Sequence, residues 1–181
     1  GRFIANPCLA SRKDLRDAVV AARTAQSGWA KATAYNRGQI LYRIAEMLEG
    51  RTEQLASEIA LANGVAPKKA LDEVAAAIDR WVWYAGWSDK LSAAFGATNP
   101  VSGPYYNFTI PEPQGVIAVA PAESFLALID AIAPAIVSGN CAVALVPGSA
   151  AIAAMTFAEV LATSDLPAGV INILTGSHDE L

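Results

Sequence analysis

The sequence predicts an α/β fold in which N-terminal helices pack on a Rossmann-like parallel sheet. Two observations carry this. Through the first half of the chain, apolar residues recur at helical spacing. After residue 114 the pattern changes to continuous apolar strands, GVIAVA at 115–120, CAVALV at 141–146 and a third at 170–174, separated by helix-length segments. Strands apolar on both faces and alternating with helices belong to a parallel β-α-β-α-β sheet with right-handed crossovers.

Taken in order, Ser11 with Asp14 three residues on forms a capping box. Leu15, Ala18, Val19, Ala22 and Trp29 then mark one helical face. A second helix carries Ile40, Leu41, Ile44, Ala45 and Leu48, and Leu55 and Ile59 extend its stripe past Gly50 to Asn63-Gly64, where a left-handed cap is easy. Pro67 suits the first position of a third helix, with Leu71, Val74, Ala75, Ile78 and Trp81 or Val82 facing inward. Its tryptophans Trp81, Trp83 and Trp87 are expected to pack rather than to form a stacking surface. Asn99-Pro100 and Ser102-Gly103-Pro104 break the chain.

Tyr105 to Ile110 alternates in the manner of a strand, and Pro111 and Pro113 end it. Flanking prolines place such a strand at an edge or in an arm. Phe125 to Ser138 is the first crossover helix, with a kink or restart expected at Pro134. Gly139-Asn140 turns the chain, Ala150 to Ala162 is the second crossover, and Leu166-Pro167-Ala168-Gly169 leads into the last strand. The expected organisation is one partial cofactor domain over 1–181: helices over about 11–95, an arm strand at 105–111 and the β-α-β-α-β unit at 114–176.

The 181 residues are 54% hydrophobic and 17% charged, with a net charge of −4. Lys and Arg form no long run, which argues against nucleic acid and anionic membrane partners. No apolar run is long enough to span a bilayer and no leader pattern opens the chain, so a cytoplasmic location is expected. Cys8 and Cys141 belong to no metal-type cluster; spacing gives a disulfide no support, and free buried thiols in a reducing cytosol are the better reading.

Ligands of such a sheet bind beyond the C-terminal ends of the strands, here Pro121–Ser124, Pro147–Ala150 and Thr175–Ser177. The glycine fingerprint GxGxxG is absent. Glu123 is expected to be a solvated carboxylate favoured by a helix N-terminus, and Ser124 an N-cap. No GxSxG surrounds Ser124, and His178, the one histidine, is given no role as its base. Residue chemistry alone ends at a nucleotide-type fold without a specified ligand.

The blocks PEPQGVIAVAP, IAPAIVSGN, a strand ending VP and LPAGVINILTG resemble the cofactor-domain blocks of the aldehyde dehydrogenase superfamily, in order and spacing. ASRKDLRDAVVAARTAQSGWA resembles its opening helix and RWVWYAGWSDK its tyrosine-alanine-glycine-tryptophan stretch. The resemblance implies NAD as cofactor of a parent protein and an arm at 105–111 that pairs with another subunit or with a catalytic module of the same polypeptide. It also exposes departures. The family's first strand ends Pro-Trp-Asn, with the Asn amide facing an oxyanion; here Pro121 matches, Ala122 replaces the Trp and Glu123 replaces the Asn. An ionised carboxylate cannot donate that hydrogen bond. The second strand ends Lys-Pro-Ser-Glu, whose Lys and Glu grip the ribose; here Val146 stands at the Lys and Ser149 at the Glu. Gly176 matches by position only. The family's catalytic Glu and Cys have no counterpart among residues 1–181. NPVSGPYYNFTIPEPQGVIAVAPAE is similar to the non-catalytic second region of aldehyde dehydrogenase family 16. The expectation is therefore a domain or fragment with no catalysis and no bound cofactor of its own. One alternative is the N-terminal part of an active NAD(P)-dependent enzyme with its catalytic Cys beyond residue 181. Another is a module that binds a different small molecule in the emptied pocket.

Overall fold

Seven helices and five strands follow one another within residues 3–176, the span described by the computed structural model. Helix α1, Arg12–Lys31, opens with the expected capping box: the Ser11 side chain accepts from the Asp14 backbone and the Asp14 carboxylate accepts from the Ser11 backbone at 2.8 Å. These Ser11 donors hold the Asp14 carboxyl below its usual range. Ala18, Ala22 and Trp29 are the buried face of α1.

The second predicted helix is two. Helix α2, Ala34–Glu49, stops at Gly50, and α3, Thr52–Asn63, starts after Arg51, whose ψ of 10° is not helical. The break redirects α3 so that it packs against both α4 and α7. Gly64 closes α3 in the left-handed region at φ 64°. Helix α4, Pro67–Trp87, has its proline in the first turn and buries Ala70, Val74, Ala77, Trp81 and Ala85. Trp81 is thus the inward residue, and Val82 and Ala75 are exposed. Trp83 also departs from expectation: it is 51% exposed and packs on its own helix, 4.8 Å from Tyr84 and 5.5 Å from Trp87 between ring centroids. A short α5, Leu91–Phe95, follows.

Strand β1, Ala97–Asn99, pairs antiparallel with β2, Asn107–Thr109. The arm strand is therefore shorter than 105–111, and its partner lies in the stretch read only as a chain break. The Asn99 side-chain amide donates to Asn107 Oδ1 at 3.0 Å and to Thr109 Oγ1 at 2.9 Å, which fixes the register. Tyr105, Tyr106, Phe108 and Ile110 all remain exposed.

Strands β3, Val116–Val119, β4, Cys141–Val146, and β5, Ile171–Thr175, form a parallel sheet in the order β3-β4-β5. The crossovers are α6, Phe125–Val137, and α7, Ala151–Ala162. β4 is buried on both faces: α1 packs on all three strands, α6 packs on β3 and β4, α7 packs on β5, and α2, α3 and α4 back the crossover helices. Helix α6 continues through Pro134 without the restart that was one expectation there. Asp130, whose carbonyl loses its usual helical donor at Pro134, is exposed, so water can serve it, while seven buried apolar side chains hold the helix in place.

The loop before β5 depends on one glycine. Gly169 has φ 85°, and a Cβ there would lie 2.7 Å from the Ala21 carbonyl oxygen of α1. Gly169→Ala is expected to lower stability by about 1–3 kcal/mol, because strain and overlap with backbone both apply. A urea midpoint equal to that of the parent chain would contradict this packing.

Candidate functional site

Because β3, β4 and β5 are parallel neighbours, their C-terminal ends bring the three predicted turns to one edge of the sheet. After β3, Pro121 is buried and Ala122 and Glu123 are exposed. The Ser124 amide donates to the Ala122 carbonyl at 2.7 Å, which closes the turn. Ser124 is the N-cap of α6: its backbone is extended and its hydroxyl accepts from the Ala127 amide at 3.0 Å. That oxygen is committed to capping.

A second acceptor comes from another layer of the fold. Glu73 of α4 is half-buried, and its Oε1 accepts from the Phe125 amide at 2.8 Å and the Leu126 amide at 3.2 Å. With Ala127 bonded to Ser124, all three amides of the first turn of α6 have side-chain acceptors. A carboxylate is favourable there, since the helix dipole places partial positive charge at that end. α6 has no acidic residue in its own first turn, so α4 supplies the charge. Sequence reasoning missed Glu73. The only local signal is its place beside the inward stripe of Ala70, Val74 and Ala77, and nothing in that stripe points to a helix 52 positions away.

Glu123 faces an open recess of about 470 Å³ whose lining includes Asn63, Val65, Lys69, Glu73 and Leu126. The mouth of the turn thus presents carboxylate oxygens, which accept hydrogen bonds, with the Lys69 ammonium in the same recess. It presents no amide at the position where the resemblance puts one.

At the second turn, Val146 is fully buried and contributes core rather than charge. Ser149 Oγ is also buried, with no hydrogen-bond partner among the described residues. Its hydroxyl is turned inward, away from solvent. At the third turn, Gly176 is buried and donates to the Val146 carbonyl at 3.1 Å. The segment before α1 lies across this end: the Ala10 amide donates to the Thr175 carbonyl at 2.7 Å, and the Thr175 hydroxyl donates to the Cys8 carbonyl. Ser177 and His178 lie outside the described residues.

Cys141 opens β4 at the opposite edge of the sheet and is buried, and burial pushes its thiol up to about 11, so at neutral pH it is not a thiolate. Cys8, expected to be buried, is exposed. Among the described residues no group of three or more His, Cys, Asp or Glu is placed to hold a metal ion, and no helix is long and apolar enough to cross a membrane. A dinucleotide is the ligand that the fold implies, and the residues at this edge fit it poorly: the first-turn amides are taken, Val146 supplies no cation, and the Glu123 recess sets Lys69 against three carboxylates, Asp72, Glu73 and Glu123.

Comparison with known proteins gives a consistent family. The model of the aldehyde dehydrogenase family matches residues 1–181. The chain is 35% identical over 170 residues to an Aspergillus niger aldehyde dehydrogenase, covering 92% of this chain and 34% of that protein. It is 34% identical over 186 residues to the cytosolic 10-formyltetrahydrofolate dehydrogenase of Mus musculus, covering 98% of this chain and 20% of that protein. Among solved structures, the NAD+ complex of a Bacillus cereus aldehyde dehydrogenase superposes with a TM-score of 0.90 at 30% identity, over 96% of this chain and 36% of that one. The chain therefore spans about a third or less of the length of these relatives.

Proposed function

The chain belongs to the aldehyde dehydrogenase family, and on that premise we propose that it is a structural and assembly portion of a longer NAD-dependent aldehyde dehydrogenase, with no catalysis of its own. The observation that carries this reading is the turn after β3. It keeps the strand-turn-helix shape, but Ala122 and Glu123 stand where the resemblance puts a Trp and an oxyanion-holding Asn, and the exposed Glu123 accepts hydrogen bonds where a donor is required. Val146 and the inward-turned Ser149 support the same reading at the ribose position. NAD as the cofactor of the parent is supported by the Bacillus cereus relative, whose structure is an NAD+ complex. The similarity of the region from Asn99 onward to the non-catalytic second region of family 16 points the same way. A cytosolic location belongs to this proposal, since Cys8 is an exposed, unpaired thiol.

The assembly role rests on β1 and β2. Exposed aromatic side chains on a short two-stranded ribbon invite strand or sheet pairing with a partner, here another subunit or a catalytic module of the same polypeptide.

A second reading has its own support: the relatives are named dehydrogenases, and the chain matches about a third of their length. In that reading the chain is the N-terminal part of an active enzyme whose nucleophilic Cys lies beyond residue 181.

Calorimetric titration of the chain with NAD+ separates shape from function. No saturable binding on the order of tens of micromolar, about −6 kcal/mol, is expected; binding in that range would overturn the loss of the ribose grip. For the ribbon, Phe108→Glu is expected to reduce association in sedimentation velocity while leaving the far-ultraviolet circular dichroism unchanged. Equal association of variant and parent chain would remove the assembly role from β2.

A further inference from the structure

We infer that Glu73 is a positioning residue that acts as an internal anion, sealing the N-terminus of α6 and excluding a ligand phosphate from the Pro121–Ser124 turn. A strand-turn-helix at the C-terminal edge of a parallel sheet ordinarily leaves helix amides and the positive dipole end free for an anionic ligand. Here those donors are used within the chain. Phe125 and Leu126 donate to Glu73 at 2.8 and 3.2 Å, Ala127 donates to Ser124 at 3.0 Å, and Leu128 closes the helical ladder on the Ser124 carbonyl at 3.3 Å.

The placement of Glu73 is held by more than its own bonds. Two helical turns further along α4, Arg80 pairs with Asp130 of α6 at 2.7 Å. The two ties fix the register of α4 along α6, so the carboxylate is held at the helix end. Glu123 and Asp72 line the same recess with Glu73, and Lys69 offsets one of these three carboxylates, so the mouth of the turn stays net negative, which further disfavours a phosphate. A dinucleotide bound by the parent protein would then have its pyrophosphate held by groups other than this turn. The inference stands on this geometry and does not depend on whether the parent's catalysis lies elsewhere.

Inorganic pyrophosphate is the probe, followed by thermal shift and by the ¹⁵N–¹H resonances of Phe125 and Leu126, against sodium chloride at equal ionic strength. The unmodified chain is expected to show no pyrophosphate-specific response at these amides. Glu73→Ala vacates both amides and is expected to gain a saturable, pyrophosphate-dependent rise in Tm at millimolar concentration. Glu73→Gln keeps the side-chain shape but loses the charge, and is expected to gain a weaker response at the same two resonances; it decides the matter if Glu73→Ala does not fold. Pyrophosphate shifting these amides in the unmodified chain would overturn the inference. So would a folded Glu73 variant that gains no response.

Discussion

Helix α6 is fastened at both ends by side chains from the N-terminal helices, and the geometry of the sheet edge follows from that. At its start, the Glu73 carboxylate of α4 takes two amides. At its end, the Trp29 indole of α1 donates to the Ile136 carbonyl at 3.0 Å, and the Arg37 guanidinium of α2 donates to the Val137 carbonyl at 3.1 Å. An anion therefore sits at the positive end of the helix dipole and a cation at the negative end. Arg37 is half-buried, and burial lowers its pKa from the ordinary value, though a guanidinium stays charged at any physiological pH. Hydrogen bonds with one charged partner are worth about 1.5–3 kcal/mol each. The Arg80–Asp130 pair adds less, since both side chains are about 40% exposed.

This clamp holds the turn after β3 independently of the side chains of Ala122 and Glu123. Its backbone is fixed from α4 and capped by Ser124, so Ala122 and Glu123 are free to vary without loss of fold. At the end of β4, Val146 joins the core. Apolar packing does the remaining work: Phe157 of α7 lies 6.0 Å from Trp81 of α4 and 5.7 Å from Phe125 of α6 between ring centroids, so one ring joins both crossover helices to the backing layer.

Much of this was legible in the sequence because the signals are local. The Ser11–Asp14 box, Pro67, Gly64 and the Ser124 cap each act within one helical turn, and the apolar strands declare a sheet buried on both faces. The readings at Ala122, Glu123 and Val146 come from the resemblance, through the order of the blocks around them. Other features depend on distant partners. The Glu73 carboxylate is defined by α6, and Trp83 is exposed because Trp81 takes the inward position on the same helix. β1 exists only through its pairing with β2, and a three-residue strand before a proline has no periodicity to read. The break at Gly50 serves the packing of α3 on α7, which no local residue announces. The inward turn of Ser149 is a side-chain orientation, to which a sequence pattern is blind.

Native-state hydrogen exchange at the start of α6 tests the clamp most directly. If Glu73 holds the turn, the Phe125 and Leu126 amides should exchange as slowly as the buried interior of α6 at Ile129 and Ile132, through openings close to global unfolding. Exchange of those two amides at the rate of exposed loop positions such as Gly148, with the interior of α6 still protected, would show that the turn is not held from α4 and would contradict the account.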